Sequence, residues 1–276
     1  MDNGTAGDRA ARLCRQPRSL RFAGRIIGQN APADLGYARK SFMPLSFARK
    51  AAICFCGGLC FLIPAAVLGQ TNYYTTNGME YAIAGSLPGD QVRPDVALNA
   101  NGGFLVWQDN ATDGIGLGVS AQRVDATLSG TLSAFRVNDQ GANDQENARV
   151  ALLKNGGAVF VWQGGVEGVN QRIYARFLNS SNVFLTTTDM MVNTFTGKYQ
   201  IDPAVAVLNN SNVVVVWSSF YEAGSGSMQY VYGQIFSQTG QKIGGEFLIN
   251  QFTPYNQRNP AVAALAGGGF VVAWVS

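Results

Sequence analysis

The chain alternates between short, almost wholly apolar runs and clusters of glycine, asparagine and serine, with no long stretch of helical period. Phe270-Val271-Val272-Ala273-Trp274 and Ala158-Val159-Phe160-Val161-Trp162 are apolar at every position. In a strand, alternate residues face opposite sides, so a strand apolar on both sides is expected to be buried on both. The runs recur at a fixed interval. Trp107, Trp162, Trp217 and Trp274 are separated by 55, 55 and 57 residues and are the only tryptophans in the chain.

Each tryptophan carries the same surroundings. A glutamine lies 16 residues before the first (Gln91) and 17 before the others (Gln145, Gln200, Gln257). Three of these open a Gln-x-x-Pro element ending at Pro94, Pro203 and Pro260, with Ala148 in the proline's place in the second copy. Asn138, Asn193 and Asn250 each stand 24 residues before a tryptophan. A fixed period of this length marks a repeat architecture, in which each copy is one unit that must bury its faces against its neighbours.

Within the third copy the pattern predicts strands at Met190 to Val192, Ala204 to Leu208, Val213 to Trp217 and Tyr230 to Phe236. The fourth strand has equivalents at Val119 to Val124 and Arg172 to Phe177, and the first strand of copy one is placed at Tyr81 to Ala84. Between the second and third strands sit Asn101-Gly102-Gly103, Asn155-Gly156-Gly157, Asn209-Asn210-Ser211-Asn212 and Gly267-Gly268-Gly269. Such residues supply the positive φ that tight hairpins need. Each copy is therefore expected to be an antiparallel meander, and the chain an all-β, propeller-like array of four-stranded blades with repeats at about 79–133, 134–188, 189–245 and 246–276. That makes three full blades and most of a fourth, the pattern of a fragment or of a blade completed by a strand from elsewhere. A β-solenoid is the alternative. In copy one, Gly103 stands four residues before Trp107 where Gly157 and Gly269 stand five before theirs, so a bulge or altered turn is needed to keep that tryptophan on its face.

These motifs resemble the propeller-like repeat arrays of large secreted or surface-attached bacterial proteins, over roughly residues 79 to 276. The resemblance rests on Gln-x-x-Pro-x-Val-Ala-x-Leu, on Gly-Gly-Phe-Val-Val-x-Trp and on the segments around Gln122-Arg123-Val-Asp125 and Phe135-Arg-Val-Asn138. It implies a fold and a location rather than a chemistry. The Ser-x-Asp-x-Gly-x-Thr-Trp box of sialidase-like propellers is absent, as is a Gly-His to Trp-Asp blade signature.

Charge divides the chain. Residues 1–50 hold ten Lys and Arg against three acids, whereas residues 70–276 hold ten against fourteen. The repeat region is thus mildly acidic, without the basic stripe a phosphate backbone requires, and nucleic acid is excluded as an expected partner. Arg49-Lys50 is followed by an uncharged, largely apolar run from Ala51 to Gly69, read as a secretory signal peptide over 43–69 that would be cleaved before Gln70. Residues 1–42 are then a basic extension or a mis-assigned start, and 70–276 is the repeat domain. If the run stays uncleaved, it is the chain's membrane anchor. Either way the repeats are expected to be secreted or at the cell surface. All four cysteines (Cys14, Cys54, Cys56, Cys60) precede residue 70, so the repeats hold no disulfide and no thiolate.

The chemical inventory is thin. The chain has no histidine, which removes the commonest general base and metal ligand. Carboxylates for glycoside hydrolysis are present at Asp90, Asp95, Asp109, Asp113, Asp125, Asp139, Asp144, Glu146, Glu167, Asp202, Glu222 and Glu246, and nothing in the sequence selects a pair. Asp109, Asn110 and Asp113, in Asp-Asn-Ala-Thr-Asp-Gly, are a candidate calcium site, because closely spaced oxygen ligands around a glycine turn suit that ion; an Asx-rich turn is the competing reading. The tryptophans read as blade core rather than sugar platforms. The functional expectation is a non-catalytic secreted or surface module for binding, adhesion or spacing, with extracellular polysaccharide or protein as partner. The alternatives are a propeller-type glycan-active enzyme and a calcium-stabilised array.

Overall fold

In a computed structural model of the protein, residues 22–27, 83–221 and 228–276 are described. The expected signal segment and cysteines, Glu222, Tyr73 and Tyr74 lie outside them. The strands are β1 (Phe22–Ile27), β2 (Gln91–Asn99), β3 (Gly102–Asp109), β4 (Gly118–Val124), β5 (Phe135–Arg136), β6 (Asp144–Leu152), β7 (Ala158–Gly165) and β8 (Arg172–Leu178). They continue with β9 (Met190–Met191), β10 (Gln200–Val207), β11 (Val213–Phe220), β12 (Gln229–Phe236), β13 (Lys242–Leu248), β14 (Arg258–Ala264) and β15 (Phe270–Val275). Among the described residues there is no helix, hence none long and apolar enough to cross a membrane.

The strands form three four-stranded antiparallel meanders, β2 to β5, β6 to β9 and β10 to β13, and a three-stranded sheet ordered β1-β15-β14. The all-β blade array is as expected, but the strands are grouped differently. Met190 and Met191, read as opening the third repeat, pair with Tyr174 and Ala175 and so close the second sheet. Likewise β13 closes the third sheet rather than opening the fourth. Ile83 and Ala84 lie in a turn. The fourth sheet has two strands of its own, and β1 pairs along β15 from Phe22↔Val275 to Ile27↔Phe270. A fourth-blade strand does come from elsewhere, namely from the chain's own N-terminal region.

Faces of successive third-strand positions explain the packing. Phe160 and Trp162 of β7 pack against Phe104 and Val106 of β3, while Val159 and Val161, on the other face, receive Val213, Val215 and Trp217 of β11. Val214 and Val216 in turn receive Phe270, Val272 and Trp274. Every residue of β11 is buried. In β15 only Phe270, Val272 and Trp274 are, and Ala273 is exposed, so burial on both faces fails for the strand that shows the apolar run most clearly. Apolar sequence permitted two covered faces there, and one neighbouring sheet supplies one.

The short turn of the first copy is absorbed without moving its tryptophan. Asn99 pairs directly with Gly102, a two-residue hairpin, whereas Leu153 and Gly157 enclose three residues. Asp95↔Val106 keeps the register that Arg149↔Val161 has in the second sheet, and Trp107 is buried. Gly102 takes φ 99° to close the tighter loop.

Candidate functional site

The repeated glutamine organises one edge of the third and fourth sheets, while Gln91 of the first is exposed and donates to the carbonyls of Pro88 and Gly89. Gln200 Oε1 accepts the indole N–H of Trp217 at 3.0 Å, and Gln257 that of Trp274 at 2.9 Å. The second blade departs: Gln145 Oε1 accepts Asn138 Nδ2 at 3.0 Å, and Trp162 Nε1 has no partner. The repeated asparagines serve backbone within the blade, Asn138, Asn193 and Asn250 each accepting a strand N–H at 2.8 Å from Val119, Ile173 and Val231. The tryptophans are core, as expected.

Two residues beyond each glutamine the ladder slips. Arg93, Asn147, Asp202 and Asn259 occupy this place with φ of 51°, 52°, 55° and 52°. A left-handed residue in four equivalent strands is a built-in bulge, and bulges re-aim side chains. The proline that follows three of them suits the interrupted ladder, since it offers no N–H. The residue after each of the first three tryptophans holds the next bulge: Gln108 Oε1 accepts Asn147 N at 2.9 Å, Gln163 Oε1 accepts Asp202 N at 2.9 Å, and Ser218 Oγ accepts Asn259 N at 3.1 Å.

Because β2, β6, β10 and β14 pack side by side as the inner strands, the four bulges form a continuous row. Arg93 Nη1 donates to Asn147 Oδ1. Asn147 Nδ2 donates to Gln163 Oε1 at 2.9 Å, the same oxygen that holds Asp202 N, and Asn259 Nδ2 donates to Asp202 Oδ2 at 3.3 Å. Gln163 Nε2 donates at 3.3 Å to Glu146 Oε2, which also accepts Gln171 Nε2 at 3.3 Å. One amide, Gln163, therefore ties Glu146 to the backbone of Asp202. Burial pushes the Asp202 carboxyl above its ordinary range, against the opposing pull of Arg149, Arg93 and Arg258. Three residues earlier Tyr199 lies against Phe220, ring centroids 3.8 Å apart and the rings tilted by 35°.

The sequence reading contained Asp202 and Glu146 but could not choose them from twelve. Most of the others serve backbone: Asp95 Oδ2 accepts Val150 N at 3.0 Å, Asp144 Oδ1 accepts Leu117 N at 3.0 Å, and Asp125 Oδ1 closes its own turn to Thr127 and Ser129. The usable signal was the Gln-x-x-Pro element, whose two variable positions are the bulge.

The candidate calcium residues each face a separate task. Asp109 Oδ1 accepts Ala111 N at 3.0 Å and Thr112 N at 2.7 Å, an Asx turn. Burial works against its charge, but hydrogen bonds from Ser120, Thr112 and the loop backbone prevail and hold the carboxyl below its ordinary range. Asn110 Oδ1 accepts Asp90 N at 2.9 Å, and Asp113 Oδ2 accepts Asn138 Nδ2 at 3.3 Å. Among the described residues no group of three or more acidic or cysteine side chains is gathered for a metal.

No protein-family model matches the chain, and no curated protein matches it in sequence. Solved structures do resemble it. A thermostable family-43 glycoside hydrolase aligns with TM-score 0.44 and 12% identity, over 68% of this chain and 70% of that one. An endo-arabinase from Bacteroides thetaiotaomicron gives 0.43 and 14%, over 66% and 68%. An α-L-arabinofuranosidase from Lactobacillus brevis gives 0.44 and 11%, over 66% and 62%. At these values the likeness is one of architecture. The expectation of a non-catalytic binding, adhesion or spacing module is not borne out, since the structures of similar architecture are named as glycan-cleaving enzymes.

Proposed function

We propose that the chain is a glycan-active, glycoside hydrolase-like protein, with Asp202 as general acid and Glu146 as the partner carboxylate. The observation that carries this reading is the tie through Gln163, which joins the Glu146 carboxylate to the backbone N–H of Asp202, the residue whose half-buried carboxyl has a raised pKa. Glycoside hydrolysis commonly needs two carboxyl groups in unlike states, one protonated and one ionised. Asp202 is half-buried, so its neutral form is favoured and it can give a proton to the leaving oxygen. Glu146 accepts two amide N–H groups, which fix its carboxyl in place as the partner group. Tyr199, half-buried against Phe220 just before the strand that carries Asp202, supplies aromatic surface for a sugar face.

The apolar run 51–69 supports a secreted location for this activity, where polymeric glycans are met. The test is release of reducing ends from a panel of polysaccharides. Wild-type protein is expected to release product, and Asp202→Asn and Glu146→Gln to lower the rate by about a hundred- to ten-thousandfold with folding intact by circular dichroism. No product from any substrate, or full activity in Asp202→Asn, would overturn the assignment.

A further inference from the structure

In the first three sheets the tryptophan strand is followed, along the chain and in space, by a third strand: β4 after β3, β8 after β7 and β12 after β11. In the fourth sheet that place beside β15 is filled by β1, which precedes every other strand. We infer that the outer edge of β15 is a strand-acceptor site, and that Phe22–Ile27, a displaced copy of the blade's third strand, is the segment it is built to take. This goes beyond the glycan-active reading and does not rest on it.

The third strands share a pattern once they are aligned on the tryptophans. One residue before each tryptophan, Val106, Val161 and Val216 pair with Ala121, Ala175 and Gly233. Two before, Leu105, Phe160 and Val215 pair with Gln122, Arg176 and Gln234; in the third place, four before, Gly103, Ala158 and Val213 pair with Val124, Leu178 and Phe236. Each place has a physical cause. Ala121 and Ala175 are buried, and a Cβ on Gly233 would lie 3.0 Å from the Phe247 ring, so the first place admits only a small residue. The second is a donor: Gln122 Nε2, Arg176 Nη2 and Gln234 Nε2 donate to the carbonyls of Leu132, Thr186 and Gly244, each ten residues on, at 3.1, 2.7 and 3.2 Å. The third place is apolar and buried in all three sheets.

In β1 the same places, opposite Ala273, Val272 and Phe270, hold Gly24, Arg25 and Ile27. Within residues 1–82 this is the one run of Ala or Gly, then Gln or Arg, then any residue, then Val, Ile, Leu or Phe. Sequence pattern and strand pairing therefore select the same residues in the same register. An unpaired edge offers a row of backbone N–H and C=O groups. A segment added to it gains affinity from the ladder and specificity from its alternate side-chain positions. The apolar run 51–69 lies between the segment and its acceptor. A chain that crosses a membrane at that run, or is cut before Gln70, parts the two, so export opens the site and self-completion closes it.

Binding of a fluorescent peptide of residues 20–29 to the full chain, read by anisotropy, tests this. Gly24→Pro with Arg25→Pro in the chain removes a ladder N–H whichever way β1 is turned, and so frees the edge. That variant is expected to bind the peptide at least about tenfold more tightly than wild type, whose edge is filled. The peptide carrying Arg25→Gln should bind as well as the original, while Arg25→Glu and a shuffled sequence should each lose about tenfold or more. No binding by the proline variant, equal binding by wild type, or equal binding of the shuffled peptide would overturn the inference. Hydrogen exchange on full chains without any proline gives a second reading: Arg25→Gln should keep protection at the β15 amides that face β1, and Arg25→Glu should lose it. Loss in both variants, or in neither, would also overturn it. Neither measurement uses a glycan, so the hydrolase reading stands or falls separately.

Discussion

The core strands and the inner strands of the same blades treat the repeat in opposite ways. At the core positions Trp162, Trp217 and Trp274, both side chain and burial are kept. At the bulge positions Arg93, Asn147, Asp202 and Asn259, the backbone is kept to within a few degrees of φ and the side chains are all but free to differ. A buried position is set by volume, because dense interiors leave room for one shape. A bulge is set by its backbone bonds, here from Gln108, Gln163 and Ser218, and the side chain it turns inward remains available for chemistry. Repetition therefore marks what holds the blades, and divergence within a repeated frame marks what they present.

The largest expected effect lies on the core side of that contrast. Trp217→Ala empties a fully buried site between the second and third sheets and breaks the bond to Gln200, and it is expected to cost about 3–5 kcal/mol, measured by denaturant unfolding. A loss below about 1 kcal/mol would break the comparison. Asp109→Ala, which unpairs the loop N–H groups of Ala111 and Thr112, is expected to cost about 1–2 kcal/mol, or a few degrees in Tm. Because the Asp109 carboxyl sits below its ordinary range, its contribution is present above the unfolded pKa and fades as pH falls through the folded one, so wild type and variant should converge in acid.

Asp202 should behave in the opposite sense. Its folded pKa is raised, so its stabilising contribution is complete below the unfolded pKa and is lost as pH rises through the folded value. Asp202→Asn keeps an acceptor for Asn259 and is expected to match wild type in acid and equal or exceed it at neutral pH, while losing at least about a hundredfold in activity. A variant that is less stable at neutral pH would make Asp202 a structural residue. The smallest effect sharpens the core comparison. Trp217→Phe loses an indole hydrogen bond and Trp162→Phe has none to lose, so the former should cost about 1 kcal/mol more.

The N-terminal strand offers a further test. β1 precedes the expected signal segment, so cleavage before Gln70 would part it from the blades. A chain begun at Met43 is expected to lose hydrogen-exchange protection at the β15 amides that face β1 and to keep it at those that face β14. Unchanged protection along β15 would show that β1 contributes nothing to that edge.

How much of this was legible in advance can be followed residue by residue. The tryptophan ruler, the strand positions near 119–124, 172–177, 213–217 and 230–236, and the tryptophans' burial follow from local pattern alone. Period-2 alternation and turn residues act within a few positions and leave their trace in the chain. What alternation cannot state is which neighbour a strand joins, and so Met190 and Met191 went to the wrong sheet and β15 was credited with a second covered face. Asp202 and Glu146 stand 56 residues apart in sequence and are joined through Gln163, a contact made only when two sheets stack. Short-range pattern decided the blades of this protein; stacking of distant segments decided the inner edge, because burial and charge at Asp202 depend on residues that β2, β6 and β14 bring to it from elsewhere in the chain.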